Sequence, residues 1–405
     1  MKVFVTGMGA LTSLGTDVES TFQGLRDGRT GVRAFPEWKQ HNGLHSLLGA
    51  PVGEYSVAHL PRQTRRAMSR MSEMASLATF QALEQAALSK ENLNSPRVLL
   101  ILGSTSGSPE TLETYFKKII ERGGPEGQVS TSFFKTMNHS VAANVAAALE
   151  FNGALLSPSC ACATSTQAVI LGWELIKAGL YDVVVAGGAD ELHYMSAGVF
   201  DIVQAASRGY NDKPDEASRP FDQKRDGLVV SEGAGVVVLE SEAHAQARGA
   251  HRLAEIKGGA YQCDASHMTQ SSATTMASVM RLSLERAGVK AEEVDYLNAH
   301  ATGTVHGDAE EAKAIQNVFQ NTVPVSSLKG HFGHSLAACG TVELICSIKM
   351  MEHGLLIPNR NLAIVDPECS GIDLLKAPRQ TPVKTVVSNN FAFGGMNTCL
   401  VFAQK

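Results

Sequence analysis

At 405 residues the chain exceeds what one small core organises, so it forms two domains or one large layered one. Its 44 % apolar and 19 % charged content is that of a well-packed enzyme, and a formal charge of −5 gives no reason to expect nucleic acid or an anionic membrane as partner. Seven scattered cysteines, an odd number, read as reduced thiols and not as a disulfide framework, and no Cys/His spacing suits a metal; no metal or cofactor is expected.

Lys2–Gly7 reads as a first strand, too short and too early for the apolar region of a signal peptide. No apolar run approaches the roughly 20 residues that a membrane span needs, so the expected location is cytoplasmic. Asp17 to Asp27 predicts a helix closed by Gly28, with Thr16 as N-cap and Glu19 completing a capping box. Little periodicity follows until about Leu60. Pro61 then opens a long helix to about Ala87, with Arg62, Arg65, Arg66 and Arg70 clustered at its start, where a helix dipole prefers acids. Such a cluster is most often a solvated face. In an acidic protein it also fits an anionic partner. Val98–Gly103 reads as a strand, Thr111 to Glu121 as a helix, and Ser140 to Leu149 as an Ala-rich helix.

Ser157 to Ala168 is a turn of small residues holding Cys160 and Cys162, and it feeds an apolar helix that reaches Ala178. A turn at a helix N-terminus suits a nucleophilic thiol, because the dipole favours thiolate and free N–H groups can receive an oxyanion. The alternative is that both cysteines are small buried core residues. A strand at Asp182–Ala186 and a glycine pair come next, then a polar loop from Asn211 to Asp226 and a strand from Leu228 to Glu240.

The second half repeats the first. Leu253–Gly259 is again a strand, Ala273 to Ala287 a helix stopped by Gly288, and Val294–Ala299 a strand running into His300. Gly333 to Glu343 opens an apolar helix ending at Gly354, parallel to the cysteine turn and its helix. Val383–Ser388 with Phe393-Gly394-Gly395 matches Val183–Ala186 with Gly187-Gly188, and Thr398–Phe402 closes as Val236–Leu239 did. The simplest account is an internal duplication with its joint near residues 240–252, giving halves 1–245 and 246–405 of an α/β fold. Two such halves place the Cys162 turn and the His334 turn at equivalent, facing positions. A thiol beside two imidazoles permits acyl transfer through an acyl-enzyme, with neutral imidazoles holding a second carbonyl oxygen. Lys329 sits five residues before His334, and Asp308, Glu311 and Glu343 are acids able to pair with it. His139, His193 and His353 read as ordinary hydrogen-bonded histidines, whereas His300 and His334 lie in turns of small residues.

Four stretches in order, Cys162–Ser165, Asn298–Thr304 with Gly307-Asp308, Lys329–Ala338 and Ser388–Asn397, resemble the elongating β-ketoacyl-acyl-carrier-protein synthases of the thiolase-like superfamily, as does Ser218–Asp222 with Arg225–Gly227. The resemblance covers nearly the whole chain. It implies a thiolase-like duplicated αβαβα layered fold, a dimer, and decarboxylative condensation of an acyl chain with malonyl-acyl-carrier protein. It implies Cys162 as the acylated nucleophile, His300 and His334 as the decarboxylation and enolate-stabilising pair, and Lys329 as a structural charge beside His334. Backbone N–H groups of Cys162 and Phe391 become the oxyanion hole, with the Phe391 ring as a gate. Arg62, Arg65, Arg66 and Lys135 fall where the family meets its acyl carrier protein, and Met137 falls on the acyl tunnel. Ala301, Val305, Ala392, Met396 and His331 depart from the usual pattern, and none removes a catalytic group. A thiolase would carry a C-terminal Cys-x-Gly motif, which Cys399 lacks, and the initiating type of synthase would show Asn in place of His334. A chain-length factor would lack the nucleophile; the remaining alternative to a homodimer is the active half of a heterodimer with such a subunit.

Overall fold

The computed structural model describes residues 1–265, 268, 269 and 272–405. Eleven strands form its main sheet, and in chain order we number them β1 (Val3–Leu11), β2 (Val98–Gly103), β3 (Ala154–Leu156), β4 (Val183–Asp190), β5 (Gly233–Ser241) and β6 (Ala254–Cys263). The others are β7 (Tyr296–Asn298), β8 (Pro324–Ser326), β9 (Asp373–Leu374), β10 (Thr385–Ala392) and β11 (Met396–Ala403). Their spatial order is β9-β8-β7-β10-β11-β6-β1-β5-β4-β2-β3. Outward from the centre, β1-β5-β4-β2-β3 on one side corresponds to β6-β11-β10-β7-β8 on the other. β1 and β6 meet antiparallel at Val3–Val5, so the two copies of one topology join at their first strands.

Side-chain alternation assigns the layers. In β4, Val183 and Val185 belong to an outer cluster with Met71, Ala75 and Ala82, while Val184 and Ala186 enter a central cluster with Ile170 and Ile345. In β10 and β11, Val387 and Val401 face Met280 and Leu284 outside, whereas Val386 and Leu400 face the centre. A strand buried on both faces in this way lies between helical layers. Helix Arg70–Gln85 covers one outer face and helix Ala273–Ala287 the other. Between the half-sheets lie the helix Thr164–Lys177 (the cysteine helix) and the helix Cys339–His353 (the histidine helix). The layers therefore run αβαβα. Among the described residues no helix is long and apolar enough to cross a membrane.

The central helices start in close contact, and glycines permit it. A Cβ on Gly188 would lie 2.5 Å from the Ala337 carbonyl oxygen, and one on Gly340 would lie 1.9 Å from Thr166 Oγ1. A larger residue at Gly188 pushes the histidine turn off β4, and one at Gly340 pushes the histidine helix off the cysteine helix.

Several expected boundaries move. The first helix spans Val18–Arg26 and is capped by Asp17, not Thr16: Asp17 Oδ1 accepts the Ser20 N–H at 2.7 Å, and Ser20 closes the box in place of Glu19. The helix expected from Pro61 to Ala87 is two helices, Arg62–Ala67 and Arg70–Gln85, separated by an extended Met68. The first piece buries no side chain and the second buries a full apolar face, so the two share no common face to continue along. β4 runs through Gly187-Gly188 to Asp190 instead of ending before the pair. β5 begins only at Gly233; Val230 instead bridges to His334 and Ser231 to Ala50, so this stretch supports a turn and not the sheet edge.

Candidate active site

Cys162 and His334 enter the site from related turns. Each turn is a short 3-10 segment, Ala161–Ala163 or Leu336–Ala338, leading directly into a central helix. Each begins at a non-glycine residue in the left-handed region, Ala161 at φ 46° and Leu336 at φ 51°. Such backbone is strained and persists only where its surroundings hold it. His334 is fixed by the neighbouring segment, its N–H donating to the Val229 carbonyl at 2.8 Å and its carbonyl accepting the Ser231 N–H at 2.9 Å.

His300 follows β7, and a buried carboxylate holds its backbone. Glu311, on the helix Val305–Phe319, accepts the N–H groups of His300 at 2.9 Å and Ala301 at 2.6 Å. Asp308, one turn earlier, accepts those of Thr302 at 3.0 Å, Gly303 at 3.1 Å and Phe221 at 2.9 Å. Burial raises Asp308 to about 6 and Glu311 to about 7. The expectation that these two acids pair with Lys329 is therefore corrected, since they serve the His300 loop. Glu343 alone of the three hydrogen-bonds Lys329, through Oε1. Its Oε2 accepts from Asn390 Nδ2 at 2.7 Å.

Cys162, His300, His334 and Phe391 line one cavity of about 300 Å³, with Phe200 and Met276 among its apolar walls. The imidazoles meet edge to face with centroids 5.3 Å apart, and the Phe391 ring stands 5.9 Å from His300. Lys329 is buried behind this wall and does not line it. Burial, and next the Lys329 cation, hold both imidazoles well below their ordinary pKa, so both are neutral at physiological pH. Among the described residues neither Nδ1 has a hydrogen-bond partner. Burial pushes the Cys162 thiol up to about 12, against the lowering effect of Lys329. The resting nucleophile candidate is thus a thiol, although its helix N-terminus was expected to favour thiolate. Lys329 is held cationic: burial lowers its pKa, but the Glu343 carboxylate and the smaller influences of Cys339 and Glu311 together raise it.

The remaining sequence candidates lie elsewhere. Arg62, Arg65 and Arg66 are exposed on the short helix, and no ion pair is formed by any of them among the described residues. Arg70 departs from that cluster: its guanidinium pairs with buried Glu232 at 2.6 Å. Lys135 is half-buried beside Arg70 and Lys118 in a separate polar cleft. Met137 is half-buried and does not line the Cys162 cavity. Asn390 and Cys339 were missed as site residues. Cys339 Sγ donates to the Cys162 carbonyl at 3.1 Å and accepts from Asn390 Nδ2 at 3.4 Å. Spacing alone carries no signal for either contact: the first crosses from one half to the other, and the second joins residues 51 apart on a helix and a strand of the same half.

Residues 1–245 match the model of the β-ketoacyl synthase N-terminal domain and residues 253–363 that of its C-terminal domain. The chain is 37 % identical to the 3-oxoacyl-[acyl-carrier-protein] synthase 1 of Escherichia coli K12, over 99 % of this chain and 98 % of that one. The crystal structure of a β-ketoacyl synthase from Burkholderia phymatum STM815 superposes with a TM-score of 0.96 at 40 % identity, covering 100 % of this chain and 99 % of that one. The ishigamide ketosynthase/chain length factor gives a TM-score of 0.92 at 29 % identity, with 100 % and 99 % covered.

Proposed function

The chain belongs to the β-ketoacyl synthase family, and we propose that Cys162 is the nucleophile of its acyl-condensing reaction. It is a condensing acyltransferase of the 3-oxoacyl-acyl-carrier-protein synthase type. The observation that carries the site assignment is the single cavity shared by Cys162, two neutral imidazoles and the Phe391 gate.

In the first half-reaction Cys162 sulfur attacks the thioester carbon of an acyl-carrier. The oxyanion of the tetrahedral intermediate sits on the N–H groups of Cys162 and Phe391. The carrier thiolate leaves and takes the proton that the cysteine gives up, so no net charge accumulates. The Cys162 thiol has a high pKa, so proton loss accompanies attack instead of preceding it. In the second half-reaction malonyl-carrier loses carbon dioxide, and the electron pair of the broken C–C bond forms an enolate. Neutral His300 and His334 donate hydrogen bonds to that enolate oxygen, and burial together with the Lys329 cation keeps them neutral. The enolate carbon attacks the acyl-cysteine, releasing 3-oxoacyl-carrier, and Cys162 regains a proton.

Arg62, Arg65, Arg66 and Lys135 meet the acidic carrier. The homodimer is the preferred assembly, because β3 ends the sheet with exposed Leu155 and Leu156, and Phe116, Ile120 and Phe133 are also exposed. The likeness to the ishigamide ketosynthase/chain length factor favours a second reading, an active half completed by a different subunit. Light scattering of the purified chain separates the two: a dimer mass supports the first, a monomer that cannot condense supports the second. The reaction itself is tested by supplying acyl- and malonyl-carrier protein and following products. Equal amounts of 3-oxoacyl-carrier and carbon dioxide are expected, with no ketoacyl product from Cys162→Ala. Ketoacyl product from that variant would remove Cys162 from the assignment.

A further inference from the structure

Cys339 is a buried thiol to which the chemistry above gives no role. It is the first residue of the histidine helix, the place that Thr164 holds in the cysteine helix. Thr164 braces its own turn, its Oγ1 donating to the Ala161 carbonyl at 2.7 Å and accepting the Cys160 N–H at 2.8 Å. Cys339 reaches across to the other turn, its Sγ donating to the Cys162 carbonyl at 3.1 Å. Its sulfur accepts from Asn390 Nδ2 at 3.4 Å; the same amide donates to Glu343 at 2.7 Å and accepts from Thr166 Oγ1 at 2.5 Å. Asn390 immediately precedes Phe391. One thiol thus ties the backbone of the cysteine turn to the buried Lys329–Glu343 pair and to the strand that carries the gate.

We propose that Cys339 is a positioning residue for the nucleophile: its S–H holds the Cys162 carbonyl, and so aims the turn, against the histidine half of the site. This rests on the reading of Cys162 as the nucleophile. The role requires the thiol form, and burial keeps it, pushing the Cys339 pKa well above its ordinary value. Serine preserves a donor and an acceptor at this place, valine preserves volume with neither, and alanine preserves neither.

Single-turnover acylation separates these properties. The parent and the Cys339→Ser, Cys339→Val and Cys339→Ala proteins, with folding checked by circular dichroism, are mixed with acyl-carrier protein, quenched in time and read by intact mass. The valine and alanine variants are expected to acylate about tenfold more slowly at saturation, since a misaimed nucleophile loses rate and not binding. The half-saturating carrier concentration stays within about twofold of the parent, because the docking surface is untouched, and the serine variant stays within about threefold of the parental rate. A valine variant as fast as the parent, or a serine variant as slow as valine, overturns the proposal and leaves Cys339 as packing. A parent that never forms an acyl-enzyme instead removes the assignment of Cys162.

Discussion

Glu343→Gln probes the buried charge that organises this site. The Lys329 side chain is 1 % exposed and that of Glu343 0 %, so water cannot replace a lost partner. Glu343 presents two acceptor oxygens, to Lys329 and to Asn390, and glutamine offers one. One donor is then left facing an N–H group while the Lys329 cation loses its counter-charge. Removing one member of a buried pair costs about 3–5 kcal/mol, and that loss is expected in urea unfolding at pH 7. Lys329→Met costs less, because Glu343 can take up a proton. Burial already raises its pKa above the ordinary 4.5, and Lys329 is the chief influence holding it down. A carboxyl raised in the folded state stabilises fully below its unfolded pKa and loses that contribution as pH climbs through the folded one. The methionine variant therefore becomes progressively less stable as pH rises above about 4.5. Removing both charges, as Lys329→Met with Glu343→Leu, returns stability to within about 1–2 kcal/mol of the parent, leaving Asn390 one acceptor short. Condensation does not return to parental behaviour. Without the Lys329 cation both imidazoles protonate more readily, so the acid limb of the rate profile moves to higher pH in every variant lacking it. A Glu343→Gln protein within 1 kcal/mol of the parent, or a double variant as unstable as the two singles summed, refutes the reasoning.

Other expectations follow from the same geometry. His334→Ala keeps acylation of Cys162 but loses at least about 100-fold in condensation, as removal of an oxyanion donor does; equal loss of both steps means its role is misassigned. Reversing Arg62 and Arg66 to Glu raises the Michaelis constant for carrier-bound substrate most strongly at low salt, and an unchanged value leaves the cluster as plain surface. Alkylation of Cys162 by iodoacetamide rises about tenfold per pH unit from pH 7 to 9.5, as expected of a thiol pushed to about 12; a plateau below pH 8 shows a resting thiolate.

The duplication was legible because both halves carry it as punctuation: a small-residue turn, an apolar helix stopped by glycine, a strand, and a second strand. The Cys162 and His334 turns could be paired from that order alone, whereas the thiolase-like layering was implied by the resemblance of the site motifs. What the sequence concealed depends on tertiary packing between segments far apart in the chain. Met68 breaks a run of good helix formers because its two sides have no common buried face. Asp308 and Glu311, which look like partners for a lysine, hold the His300 loop because backbone N–H groups in a buried turn need acceptors. Cys339 and Asn390 lie 51 residues apart and meet only once the histidine helix packs on β10. Arg70 stands in a row with three exposed arginines, yet it turns to pair with buried Glu232 beside β5 while its side chain stays part-exposed.

The account turns on an acyl group carried by Cys162, and intact-protein mass spectrometry tests this most directly. The chain is incubated with acyl-carrier proteins of graded chain length, alongside Cys162→Ala. A mass gain equal to the acyl group for some lengths, located at Cys162 and absent from the alanine variant, is the predicted result, and the lengths accepted measure the pocket. A labelled acyl-enzyme in the alanine variant contradicts the account.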